Sequence, residues 1–386
     1  MEFTIDQSQL VRGLARTQSI VERRSTMPIL ANVLLAARAG EEGGAAAAGP
    51  GYVEFAATDL EVGVRTRVPA EVRVPGSVTV NAKKLYEVAR ELPAGPIRVA
   101  AREGAAELSA GKVVISLVGL PPEEFPALPA EAEASFAALD LEAVRGMIEQ
   151  TLYAASSDET RYNLNGVFFE RVETEGAAVA RMVATDGHRL ALADRAVAGG
   201  LEALRRGVIL PRKGVQELKR LLDEAAGSGQ GEELRVAFRE NSGLFRVDGT
   251  LLVMRLIEGA FPDYRQVIPR ATDGAARVER EAFARALRRV SIVSAEKSRG
   301  VKLVLAPGVL EVSTANPDLG EAKEELDLDY RGRRLVIGFN ARYLLEFLAT
   351  IRAETVLLDL QDEVSPGLFR GLGEEGVLGV VMPMRI

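Results

Sequence analysis

Few residues in this chain could do chemistry, and their pattern is one of binding. The 386 residues include one histidine, His188, and neither cysteine nor tryptophan. A Ser-His-Asp triad would have to run through His188, and a multi-histidine metal site is impossible. Thiolate zinc sites and disulfides are excluded. The nearest approach to a phosphate loop runs from Gly104 to Gly111-Lys112-Val113, but its spacing is too long and no Ser or Thr follows the lysine. Carboxylates are abundant, yet no pair stands out from a solvated surface. His188 sits in Ala184-Thr185-Asp186-Gly187-His188-Arg189-Leu190-Ala191, beside a glycine that allows close backbone approach or an unusual turn. Its imidazole and the neighbouring guanidinium suit hydrogen bonding to a ligand, or bracing of the loop. The expectation is a protein that is not an enzyme and uses no metal and no cofactor.

The elements around this motif recur. Thr58-Asp59-Leu60, Thr185-Asp186-Gly187 and Thr314-Ala315-Asn316 lie about 130 residues apart. A second set keeps the spacing: Asn81-Ala82-Lys83-Lys84-Leu85, Pro211-Arg212-Lys213-Gly214-Val215 and Asn340-Ala341-Arg342-Tyr343-Leu344. The period is the size of a whole domain rather than of a solenoid unit. Helices are expected over 8–24, 81–92, 139–152, 211–224, 279–292 and 340–353. Three carry a clear apolar stripe at helical spacing: Leu85, Val88, Ala89, Leu92; Phe283, Ala286, Leu287, Val290; and Leu344, Phe347, Leu348, Ile351. Asn81 and Asn340 are natural N-caps, and Pro211 suits a first helical turn. Val64 to Val68 and Leu326 to Tyr330 alternate like half-exposed strands. The fold class is therefore α+β, three tandem copies of one unit, each with two helices covering one face of antiparallel sheets. Expected domains are 1–128, 129–262 and 263–386. Pro-rich segments 117–129 and 256–269, each with a Phe-Pro step, read as extended linkers. The Ala- and Gly-rich tract 39–51 reads as a surface loop.

Charge adds a hint. The chain is −7 overall, yet the six helical windows together hold six more cations than anions, so the remainder carries thirteen excess negative charges. Helices lining one surface would make it positive while the outside repelled polyanions. The window 139–152 is negative and runs against this. The first residues, Met1-Glu2-Phe3-Thr4-Ile5-Asp6, lack a basic region followed by an apolar core, so no signal peptide is expected, and no apolar run approaches about 18 residues. A cytoplasmic protein with no membrane contact is expected.

The His188 motif, with Arg161-Tyr162-Asn163-Leu164-Asn165-Gly166, Phe261-Pro262-Asp263-Tyr264-Arg265 and Val381-Met382-Pro383-Met384-Arg385-Ile386, resembles the bacterial sliding clamps, the β subunits of DNA polymerase III. The resemblance runs from Pro28-Ile29-Leu30 to the last residue. It implies a processivity factor: a head-to-tail homodimeric ring of six similar domains, helices inside, holding double-stranded DNA without reading its sequence. It implies nucleoid-associated work with the polymerase III catalytic subunit, the clamp loader, other DNA polymerases, ligase and mismatch-repair proteins. These would dock short apolar peptides in a cleft between domains 2 and 3. Matched position by position, the cleft holds Arg161, Leu164, Thr185, Gly187, His188, Arg189, Leu190, Pro262, Val267, Tyr343, Val364, Val380, Met382, Pro383, Met384 and Arg385. Gln266 and Ser298 depart from the commonest pattern. For DNA, the resemblance points to Arg24 and to Tyr162, whose neighbour Asn163 is often Tyr in relatives. Lys83, Lys84, Arg212 and Lys213, at helix starts, are further candidates from the sequence itself. The rival expectation is a scaffold of the same fold that binds peptides but not DNA.

Overall fold

The computed structural model describes the chain apart from residues 22–25, 40–50, 103, 130, 132–133, 175, 197–200, 202–203, 205, 228–232, 272–273, 297 and 386. The chain falls into two compact units: Met1–Glu142 with Gln216–Leu256, and Ala143–Val215 with Ile257–Ile386.

Three copies follow one another. The first is β1 (Glu2–Asp6), α1 (Gln7–Gln18), β2 (Asn32–Arg38), β3 (Tyr52–Thr58), β4 (Val62–Pro69), β5 (Glu71–Val74), β6 (Gly76–Asn81), α2 (Ala82–Glu91), β7 (Pro96–Arg102), β8 (Ala105–Ala110) and β9 (Val113–Leu120). The second is β10 (Ala137–Leu139), α3 (Leu141–Thr151), β11 (Gly166–Thr174), β12 (Ala177–Thr185), β13 (Arg189–Ala196), β14 (Val208–Pro211), α4 (Arg212–Gly227), β15 (Leu234–Arg239), β16 (Ser242–Val247) and β17 (Thr250–Arg255). The third is β18 (Ala276–Glu279), α5 (Arg280–Val290), β19 (Gly300–Ala306), β20 (Gly308–Asn316), β21 (Gly320–Leu328), β22 (Leu335–Asn340), α6 (Ala341–Leu348), β23 (Thr355–Asp359), β24 (Gly367–Gly371) and β25 (Val377–Val381). Each reads strand, helix, strands, helix, three strands; the first copy adds β5.

The helices start where polar side chains take up free N–H groups. The Asp6 carboxylate accepts from Ser8 N, Asn81 from Lys84 N, Glu279 from Ala282 N and Asn340 from Arg342 N. Their apolar stripes then pack on the sheets. Phe3, Leu10, Leu14, Phe55 and Leu85 share one core; Phe283, Leu287, Phe339, Phe347 and Phe369 share another. Each such side chain contributes about 1.5–3 kcal/mol when fully buried.

Five expectations are corrected in detail. The first helix stops at Gln18. Pro211 stays out of the helix: it ends β14 opposite Gly166, because a residue without N–H is tolerated at a strand end, and Arg212 opens α4. Residues 117–120 belong to β9, whose strand conformation lasts until Pro121. The strand read up to Tyr330 ends at Leu328. The third threonine mark is out of register by one. Strand pairing aligns Leu35↔Phe55, Phe169↔Met182 and Leu303↔Val312, so Ala315, not Thr314, occupies the place of Thr58 and Thr185. The tract 40–50 lies outside the described residues; Arg38 and Tyr52 flank it as a cross-strand pair.

The first unit's strands form one 13-stranded order, and the second unit's form orders of eight and four, all antiparallel. Each unit contains the same joint between consecutive copies. In the first, β4 pairs with β17, Val64 opposite Leu252; in the second, β13 pairs with β25, Ala191 opposite Gly379. One copy's sheet thus continues into the next, leaving no free edge there. No helix among the described residues is long and apolar enough to cross a membrane.

Candidate functional site

All sixteen residues expected in the cleft fall in the second unit. Its centre is the turn from β12 to β13. Thr185 Oγ1 donates to Arg189 O at 2.6 Å and accepts from Gly187 N at 3.1 Å. Asp186 Oδ1 accepts from His188 N and Arg189 N. Between them Gly187 takes φ +88°, where any side chain would be strained. The turn leaves His188 exposed and turns Arg189 inward.

Arg189 braces the loop rather than reaching out. Its guanidinium bonds Asp186 at 3.1 Å, Tyr153 O at 2.5 Å and the Glu346 carboxylate. It also lies over the Tyr343 ring at 4.5 Å and the Tyr153 ring at 5.2 Å. Arg342, one turn earlier on α6, bonds the other Glu346 oxygen at 2.8 Å. Burial pushes the Glu346 carboxyl up, but its bonds to Arg189 and Arg342 outweigh this and hold it below the ordinary carboxylate range. Burial raises the Tyr343 phenol.

Beside the turn lies an apolar surface. Leu190 and Val380 face each other across β13 and β25 and are buried with Val183, Leu192, Tyr264 and Leu368. They form its floor rather than its open wall. Pro262, Val267 and Met382 stay exposed along it. The tail is tied down by backbone bonds, Met382 N to His188 O at 2.8 Å and Met384 N to Gly338 O at 2.9 Å. Pro383 and Met384 are half-buried, and Arg385 is exposed. Val364 stands 78% exposed on a turn whose N–H groups bond Asp362. Leu164 is buried, its carbonyl accepting from Ser156 N. Gln266 bonds Asp263 on the surface; Ser298 is half-buried.

A polar cavity of about 310 Å³ adjoins the turn. It gathers Arg161, His188, Arg189 and Tyr343 from the expected cleft, and Arg212 from the expected DNA contacts. The sequence reading missed Tyr153, Ser156, Asp158, Asp186 and Arg342, which also line it. Asp186 was visible in the Thr-Asp-Gly motif. The others come close only through the tertiary fold.

Of the remaining DNA candidates, Arg24 lies outside the described residues. Tyr162 is exposed, its ring close to Gly259, and Asn163 Nδ2 bonds Ala260 O. Lys83 and Lys84 are exposed but pair with Glu87 at 3.8 and 2.8 Å. Lys213 is half-buried. Many helix cations share that fate: Arg12, Arg16, Lys219, Arg220, Arg289 and Arg342 all meet carboxylates. Most of these carboxylates lie on the helices and are already counted in the net excess; of the partners named, Asp248 and Glu324 come from outside them.

A threefold repeat, with turn, linker and tail converging at the β13–β25 joint, defines a clamp-type scaffold. The DNA polymerase III beta subunit family matches in three consecutive parts: its N-terminal domain at residues 1–129, its central domain at 138–263 and its C-terminal domain at 265–385. The chain is 36% identical over 389 residues to the beta sliding clamp of Caulobacter vibrioides and 35% identical to that of Escherichia coli K12, each covered completely by the other. Solved structures agree. A Caulobacter crescentus DNA polymerase sliding clamp superposes with TM-score 0.90 at 36% identity, and a Bartonella birtlesii sliding clamp bound to griselimycin with 0.91 at 36%, both over the full length of each chain. The chain belongs to the DNA polymerase III beta subunit family, the beta sliding clamps. That is a family of processivity factors, not of enzymes.

Proposed function

We propose that two copies of this chain close head to tail into a ring around duplex DNA, and that the ring tethers the replicative polymerase and other DNA-processing proteins. One observation carries this reading: the joint is repeated twice within the chain, and both halves of a third joint lie open. The strand equivalent to β4 and β13 is β21, the edge of its sheet. The strand equivalent to β17 and β25 is β9, which pairs with β6 only at Leu120 and Gly119 and exposes Val114 and Val118. Open apolar edges invite pairing, and a heterologous contact that closes makes a ring. Transferring the internal register sets Ala322 opposite Ile115, and Lys323 opposite Val114, of a second copy.

DNA is then held by topology and by sequence-independent phosphate contacts, which suits an acidic protein that must slide. Arg24, Tyr162, Arg212 and Lys213 are the proposed contacts, with Lys83 and Lys84 weaker because Glu87 already engages them. The domains are 1–128, 129–262 and 263–386. Partners present short apolar peptides to the surface formed by Pro262, Val267, Val364 and Met382, above the Leu190 and Val380 floor, with His188 and Tyr343 at its polar end. The polymerase III catalytic subunit, the clamp loader, other polymerases, ligase and mismatch-repair proteins are the proposed partners, in the cytoplasm on the nucleoid.

The chain has no cysteine, so an engineered pair reports cleanly. Lys323→Cys with Val114→Cys should give, on oxidation, a covalent dimer that stays on circular duplex and slides off linear duplex. A monomeric mass at micromolar concentration, with no cross-link, would refute the ring. A ring that binds peptides but is not retained on circles would favour the scaffold reading.

A further inference from the structure

The segment joining the second and third copies has few backbone bonds of its own: Leu256 N to Asn241 O and Ile257 N to Ile209 O at its start, and Gln266 N and Val267 N within a short 3-10 turn. Side chains hold it instead. Phe261 stacks on Phe168, ring centres 5.0 Å apart and nearly parallel. Tyr264 is buried among Val183, Leu190, Leu192, Leu368 and Val380. Its hydroxyl accepts from Arg181 Nη1 at 3.1 Å and donates to Glu170 Oε1 at 2.5 Å. Arg265 Nη2 closes the circuit on Glu170 at 3.0 Å, and Arg181 is itself forked onto Asp194 at 2.7 Å through both Nε and Nη2.

The fold alone does not require this network. In the first unit the corresponding linker carries Phe125-Pro126 and, three residues after the Phe, Leu128 in place of Tyr264. Leu128 packs without any hydroxyl against Gly63, which occupies the place of Leu190. An apolar side chain therefore suffices to seat the linker at a joint. The polar circuit occurs at the joint whose linker also carries Pro262 and Val267, two residues before and three after Tyr264.

We propose that Tyr264 is a positioning residue for peptide docking: through Glu170 it fixes the height and angle at which Pro262 and Val267 meet an apolar peptide. A short peptide has few contacts, so a wall that drifts by a fraction of an ångström loses complementarity. A hydroxyl donating to a buried carboxylate, with two guanidiniums fixing the ends, supplies the directional constraint that Leu128 lacks. Burial holds the Tyr264 phenol above its usual range, so it remains a donor at physiological pH.

The inference rests on the peptide-docking reading, and the experiment separates the two. Full-length protein is titrated into a fluorescein-labelled apolar clamp-binding peptide and followed by polarisation, with thermal melting and sedimentation alongside. Tyr264→Phe removes only the hydroxyl and should weaken binding roughly 3- to 10-fold through faster release, with the dimer intact. Glu170→Ala should do the same, and the double variant should be no worse than either alone, because both break one link. Glu170→Gln keeps an acceptor for Tyr264 and should bind within about twofold of the parent. Unchanged affinity in Tyr264→Phe overturns the proposal, as do losses that add in the double variant. If Tyr264→Phe fails to fold, near-parental affinity in Glu170→Ala overturns it. Absence of peptide binding by the parent protein would instead refute the docking reading itself.

Discussion

The two internal joints are one backbone design with different chemistry. The same turn leads into the pairing strand of each: Thr58 and Thr185 bond the carbonyls of Val62 and Arg189, and Asp59 and Asp186 cap the N–H groups two and three residues on. Both take one inter-strand bond at the rim, Arg255 N to Glu61 O in the first unit and Met382 N to His188 O in the second. The side chains then diverge. The first joint shows Glu61 and Arg255 where the second shows His188 and Met382. On the helix side, Arg16 of the first joint is buried against Glu224, Asp248 and Thr250, whereas its counterpart Gln150 makes a 3.3 Å bond to Glu374. What the joints share is what the fold needs. Where they differ, the first joint carries a charged lock and the second is the one proposed to take an apolar peptide.

Exchanging residues between the joints tests that division. Arg16→Gln gives the first joint the amide of the second and leaves Asp248 and Glu224 paired with the more exposed Arg12. It should cost about 2 kcal/mol in chemical denaturation, because the buried guanidinium's bonds to Asp248, Glu224 and Thr250 are lost. A loss under about 0.5 kcal/mol would mean the lock contributes little.

Met382→Arg copies Arg255 into the second joint. Peptide affinity should fall at least about tenfold, or roughly 1.4 kcal/mol, while melting stays near the parental value because the side chain is exposed. Unaltered binding would remove Met382 from the docking surface.

Acid sharpens the comparison next. Glu346 titrates below its unfolded range, so the stability it lends through Arg189 is complete above about pH 4.3 and drains as pH falls through the lower folded value. Glu346→Gln should therefore lower stability at neutral pH, where that contribution is complete, and flatten the acid limb, because the difference from the parent shrinks as pH falls. An unchanged acid limb would show that the latch is not sensed there.

The smallest change concerns the turn. Leu60 holds φ +77° where the second joint has Gly187 at +88°. Leu60→Gly should relieve strain worth about 1 kcal/mol or less, whereas Gly187→Leu should destabilise and disturb His188. Equal effects of the two substitutions would mean the turns are not equivalent.

The sequence by itself determined the repeat, the six helices and a few of the strands. Those follow from local rules: caps at Asn81 and Asn340, stripes such as Leu344, Phe347, Leu348, and alternation in Val64 to Val68, all readable over a few neighbouring residues. It also located the Thr-Asp-Gly turn and the tail, because those segments are contiguous. Register was less legible. Thr314 matches by type and spacing but lies one residue off, since only pairing with β19 distinguishes it from Ala315. The tertiary structure alone decided what each charged group does. For Arg189 the sequence leaves open a ligand contact or bracing of the loop, and Glu346, 157 residues away, decides for bracing; Arg16 is claimed by Asp248, 232 residues away. Electrostatic partners act over a few ångströms of space, and sequence separation carries no record of which distant carboxylate the fold brings within that range.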